Sequence, residues 1–161
     1  MSARPSLLSV WNNIDAADED EFNVWYREEH LGERLGLPGI LSARRYAEIG
    51  VPRSYAAIYD TDGLAPLASP SYLERLANPT PRTRAIMPRF RNMVRAASEV
   101  DFDVGDGGAK VGAVLACLEL GAGDVSAAAL KTLREKGPAL VASGAVRRIR
   151  LANPDEKATR V

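Results

Sequence analysis

The chain has 161 residues, 46% of them apolar and 26% charged, with 21 basic side chains balanced by 21 acidic ones. That length suits one domain, or one and a fraction of a repeated small unit, and the apolar fraction excludes global disorder. Zero formal charge argues against a general nucleic-acid or anionic-membrane binder, while the single cysteine, Cys117, forbids an internal disulfide and a multi-cysteine metal site.

Ser6 to Ile14 reads as a strand, with Leu8, Val10 and Ile14 on one face and Leu7, Ser9, Trp11 and Asn13 on the other. Acids crowd from Asp15 to Glu21, complementing the positive end of a helix that the pattern runs from about Glu19 to Leu31. Leu37-Pro38-Gly39 is a turn signal, Ile40 to Ile49 a second strand and Tyr55 to Asp60 a third. Ser69-Pro70 and Thr80-Pro81 each supply an N-cap followed by proline at the first helical position. From Thr83 the apolar residues Ile86, Met87, Phe90, Met93, Val94 and Ala97 recur at a helical period, which predicts a helix kinked or restarted at Pro88. Val100 to Val104 reads as a fourth strand. The elements give β-α-β-β-α-β, an α+β, ferredoxin-like antiparallel sheet with helices on one face.

Residues 1–104 are expected to form this unit, and residues 105–110 a glycine-rich linker. Residues 111–161 then repeat it in part: an apolar strand from Val111 to Leu120, a helix from Val125 to about Lys136 and a strand from Ala145 to Leu151. A short βαβ appendage to the first sheet is the alternative. Cys117, inside an apolar run, is expected to be buried and inert. No apolar run approaches the ~18 residues of a membrane span, and the first residues lack the apolar core of a signal peptide, so no membrane partner and a cytoplasmic setting are expected.

The first helix carries the chemistry. Phe22, Trp25 and Tyr26 form a stripe that continues into Glu29, His30 and Glu33, so one helix face changes from aromatic to acid plus imidazole within a turn. A solvated helix end would look similar. If the face looks inward, a neutral His30 can abstract a proton from an activated carbon acid, with Glu29 or Tyr26 orienting it. Arg44 and Arg45 alternate along one strand, so one of them must face the helices, where it would hold a carboxylate or enolate oxygen or pair with Glu29, Glu33 or Asp60. Aromatic and polar edges such as Trp11, Asn13, Tyr46 and Tyr59 suit a small-molecule pocket or ordinary packing. No Walker loop, nucleophile elbow, HExxH or CxxC occurs, and the strands lack RNA-recognition aromatics, so no nucleic acid and no metal are expected.

Trp25-Tyr-Arg-Glu-Glu-His30, Leu37-Pro-Gly39, Ala43-Arg-Arg-Tyr46 and the strand Tyr55 to Tyr59 resemble the EthD-like branch of the dimeric α/β-barrel superfamily, and Ser71-Tyr-Leu73, Asn78-Pro-Thr-Pro81 and Arg89-Phe-Arg-Asn-Met93 extend the likeness. The resemblance covers roughly Ser6 to Val104. It implies a sheet whose bare face packs on a second such sheet, from another subunit or a tandem repeat, and a pocket between sheet and helices. It would set His30 and Glu29 as catalytic groups in one cavity with Trp11, Asn13, Trp25, Tyr26, Arg44, Tyr46, Tyr59 and Phe90. The implied function is binding or transformation of a small apolar or aromatic metabolite in a homodimer with no cofactor, by proton transfer, cyclisation or oxygenation, as in a lyase, isomerase or monooxygenase. A non-catalytic oligomeric binding or stress-type protein is the first alternative. A haem-binding or haem-degrading protein with His30 as axial ligand is the second.

Overall fold

Ser6–Asn13 (β1) pairs antiparallel with Ser54–Thr61 (β3) on one side and with Arg91–Gly105 (β4) on the other. Ile40–Ala47 (β2) adds to the far edge of β3, also antiparallel, and with Arg148–Pro154 (β5) the order is β2-β3-β1-β4-β5. In the computed structural model of the protein, residues 4–105, 114–117 and 127–160 are described. They fall into two units, Met1–Glu99 with Asn153–Val161, and Val100–Ala152. In the first unit, helices Glu19–Trp25 (α1) and Leu31–Leu35 (α2), joined by a π-helical turn Tyr26–His30, connect β1 to β2. Pro70–Ala77 (α3) and Pro81–Ile86 (α4) connect β3 to β4. This is the expected α+β fold with ferredoxin-like order.

Strand parity sorts the side chains into two faces. Leu8 opposes Tyr59 and Ala97, Val10 opposes Ala57 and Arg95, and Ala57 and Tyr59 oppose Arg45 and Ala43 on β2. The helices cover this face: Leu8, Ala57, Tyr59 and Ala97 join Phe22, Trp25, Tyr26, Leu67, Tyr72 and Ile86 in one buried core. The other face carries three rows across the sheet, Tyr46-Ala56-Trp11-Val94, Arg44-Ile58-Ser9-Ala96 and Ser42-Asp60-Leu7-Ser98.

Both helix starts in the β3–β4 connection follow their sequence signals. The hydroxyls of Ser69 and Thr80 accept the backbone N–H of Tyr72 and Thr83, satisfying donors that a helix leaves open. The tight turn before β2 needs its glycine. Gly39 has φ +84°, and a Cβ there would lie 2.3 Å from Cγ of Pro66.

The structure corrects the expectation after Thr83. Helix α4 ends at Ile86, a short 3₁₀ turn spans Met87–Arg89, and the chain from Arg91 is strand. Pro88 terminates the helix instead of kinking it, because it has no N–H to give. The stretch from Met93 to Ala97 gains its hydrogen bonds from β1, so the fourth strand spans Arg91–Gly105, not Val100 to Val104. Arg91 and Arg95 therefore sit on a strand. Arg95 donates through Nη1 to the carbonyls of Ala158 (2.7 Å) and Thr159 (2.6 Å), closing a short helix, Glu156–Thr159, that Asp155 caps at its other end. Leu8 and Val10 face the core, and Ile49 lies beyond the end of β2 and is exposed.

The second unit has a helix, Ala127–Ala142, longer than expected, and β5 begins at Arg148, past the predicted Ala145. Arg148 pairs with Asp103, and Gly137 comes close to the Phe102 ring. Of the apolar strand expected from Val111 to Leu120, residues 114–117 have no regular structure and are exposed, Cys117 included; the rest of it lies outside the described residues.

Candidate functional site

The π-helical turn inserts an extra residue where the aromatic stripe meets the acidic end, and π-bulges recur at functional sites. Its first and last residues, Tyr26 and His30, are both buried. The His30 imidazole is 6% exposed and stacks on Trp25, with ring centres 4.2 Å apart, while the edge of Tyr26 closes a second side at 5.1 Å. Its Nδ1 is buried, has no hydrogen-bond partner and lies 3.6 Å from Oε2 of Glu33. Burial, with the nearby Arg34 guanidinium adding to it, lowers the imidazole pKa from 6.5 to about 3. His30 is therefore neutral across the physiological range.

The tyrosines beside it are the opposite case. Burial raises Tyr26 to about 12 despite the opposing fields of Arg45 and Arg34 and a hydrogen bond with Tyr59. Burial drives Tyr59 well above the ordinary phenol value too. Both stay protonated and can donate.

Two arginines flank this pair. Arg45 lies over Phe22 (4.5 Å), Tyr26 (4.5 Å) and Tyr55 (4.1 Å), and burial lowers its pKa. Its Nε and Nη2 have no hydrogen-bond partner. Arg34, 7% exposed, sits 5.4 Å from the Tyr72 ring, with Nη1 also unpartnered. Glu33 is engaged by Arg75 at 3.2 Å.

Glu29 stands apart from the imidazole. Its Oε1 accepts the hydroxyls of Thr80 and Thr83 (3.3 Å for the latter), and Thr83 Oγ1 in turn accepts the Trp25 indole N–H at 3.0 Å. Glu29 thus reaches His30 through Thr83 and the tryptophan on which the imidazole rests.

The sheet divides the residues that the sequence grouped in one cavity. His30, Trp25, Tyr26, Tyr59 and Phe90 meet on the helix side, Phe90 lying 5.4 Å from Phe22 and 6.1 Å from Trp25. Trp11, Asn13, Arg44 and Tyr46 belong to the opposite face, where Arg44 pairs with Asp60 (3.3 Å) and Ser42 donates to the same carboxylate (2.6 Å). Arg45 takes the inward place in which the family resemblance would set Arg44. Arg34, which that reading missed, lies one helical turn beyond His30; the i, i+4 spacing was the available signal.

Among the described residues no group of three or more His, Cys, Asp or Glu is placed to hold a metal ion, and no helix is long and apolar enough to cross a membrane. No family model and no curated protein matches the chain. The chain is similar in structure to SnoaB, a cofactor-independent oxygenase from Streptomyces nogalater solved as a single-substitution variant, with 17% identity, 59% of this chain and 91% of SnoaB covered, and a TM-score of 0.43. Likeness at this level assigns no residue a role.

Proposed function

We propose that this chain is an EthD-like protein of the dimeric α/β-barrel type that binds or transforms a small apolar or aromatic metabolite on the helix side of its sheet, without a resident cofactor. The observation that carries the reading is the neutral, buried His30 with an unbonded Nδ1, set among Trp25, Tyr26 and Tyr59 at a π-helical turn. A neutral imidazole has a lone pair free to take a proton from an activated carbon acid. The negative charge then moves to a substrate oxygen, and the protonated Tyr26 and Tyr59 hydroxyls with Arg34 are the donors that would stabilise it. A developing oxyanion beside the imidazole raises its basicity again, so a group that is a weak base in the empty site becomes a stronger one as charge transfers. Glu29 is a positioning residue here, acting through Thr83 and Trp25.

Proton abstraction is tested with β-tetralone, an aromatic ketone with an acidic C–H, by following its deuterium exchange by NMR. The expected result is protein-dependent exchange that falls at least about tenfold in His30→Ala. Equal acceleration by the variant removes His30 from the chemistry. A homodimer is proposed on the sheet face opposite the helices, where Trp11, Ile58 and Val94 stand in adjacent rows. A second copy that covers this face gives a dimer in sedimentation, which Trp11→Glu should dissociate; a monomeric wild type contradicts it.

A further inference from the structure

Arg34 is the only described arginine among the buried side chains, and no carboxylate of the described residues lies within 4.0 Å of its guanidinium. Other partly buried arginines are paired: Arg44 with Asp60, Arg89 with Asp18 and Glu21, Arg95 with two helix-end carbonyls. Arg45 also lacks a carboxylate, but three ring faces at 4.1–4.5 Å compensate it. Arg34 has one ring, at 5.4 Å. A buried cation with an open donor is costly unless an anion reaches it.

Among the described residues no carboxylate is left to partner it. Glu33, the neighbouring carboxylate on α2, is held by Arg75 from α3. The groups from other elements that feel its charge or lie under it are Tyr26 and His30 of the first helix, Tyr59 of β3 and Tyr72 of α3, and none is an anion. Together they offer flat apolar faces, and Nη1 of Arg34 and Nδ1 of His30 are among the buried polar atoms without a hydrogen-bond partner.

Building on the helix-side small-molecule reading above, we propose that the ligand is an aromatic monoanion whose carboxylate or enolate oxygen is held by Arg34, with its ring body against Tyr72 and Tyr59. Arg34 then sets substrate class, admitting acids and rejecting their neutral analogues, because an uncharged body leaves the guanidinium unpaired.

Calorimetric titration of the full chain with benzoate and naphthoate, each against its uncharged amide, tests this. Wild type should bind at least one acid about tenfold or more tightly than the matching amide. Arg34→Met, which keeps the aliphatic length and removes the charge, should abolish that preference, and Arg34→Lys should keep part of it. If Arg34→Met does not fold, the Lys variant alone decides, since loss of the bidentate fork must reduce the ratio. Amides that bind as well as acids overturn the anion proposal and leave the small-molecule reading standing. An acid preference that survives both substitutions overturns the assignment to Arg34. No binding of either class to wild type overturns both.

Discussion

Lowering pH should destabilise this protein through a single side chain. His30 is the chain's one histidine and its folded-state pKa is about 3, against 6.5 for a solvated imidazole. Below pH 6.5 the unfolded chain binds a proton that the folded chain refuses, so acid favours unfolding; the stability is fully present above the unfolded pKa and is lost as pH falls towards the folded one. The slope approaches about 1.4 kcal/mol per pH unit, and integrating one site from about pH 7.5 to pH 5.0 gives roughly 2 kcal/mol. The window isolates the imidazole, because ordinary carboxylates titrate mostly below about pH 5. Urea unfolding followed by tryptophan fluorescence reads it directly, and 2 kcal/mol corresponds to a midpoint shift of about 1 M. His30→Phe, which keeps a ring against Trp25, should make the midpoint flat across the same window. A wild-type midpoint that is already flat, or that rises on acidification, would refute a buried neutral His30.

Three further changes probe the frame around the site. Thr83→Val removes the acceptor of the Trp25 indole N–H and one donor to Glu29, and leaving that buried N–H unpaired should cost about 1–3 kcal/mol in urea unfolding. Glu29→Gln keeps an acceptor oxygen at the same place, so it should lose clearly less stability than Thr83→Val; the reverse order would contradict the positioning role. Gly39→Ala should destabilise by more than ~1 kcal/mol, since it combines a left-handed backbone with a Cβ clash on Pro66, and an unchanged midpoint would show that the turn relaxes freely.

Local chemistry was legible in the sequence, and long-range pairing was not. The Ser69-Pro70 and Thr80-Pro81 caps, the acidic start of α1 and the alternation of β1 are written in adjacent residues, and each forms where expected. Residues 90–97 have a helical spacing of apolar side chains, yet Val10 and Leu8 pair with Arg95 and Ala97 and draw the segment into the sheet. Tertiary pairing outweighs a periodicity of only two turns, and Pro88 carried the stop signal. The aromatic stripe Phe22, Trp25 and Tyr26 marked the inward face of the first helix, whereas the inward position of His30 appears only in the packing, since a solvated helix end carries the same residues. That Arg44 and Arg45 point to opposite faces was readable as well. Which of the two looks inward depends on the register with β3, where Arg45 meets Ala57 and Arg44 meets Ile58, and no local feature fixes that. Arg34 was hidden for a different reason: arginines usually lie on surfaces, so its burial appears only once α2 packs near Tyr72.

The single histidine also permits the most direct test. Nitrogen NMR of the imidazole, with naphthoate absent and then present, reports its charge and surroundings without any other histidine signal. The expected result is a neutral ring down to about pH 4 in the free protein, and ring resonances that shift on adding naphthoate and saturate with it. An imidazole that titrates near 6.5 and ignores the ligand would place His30 in ordinary solvent and contradict the site.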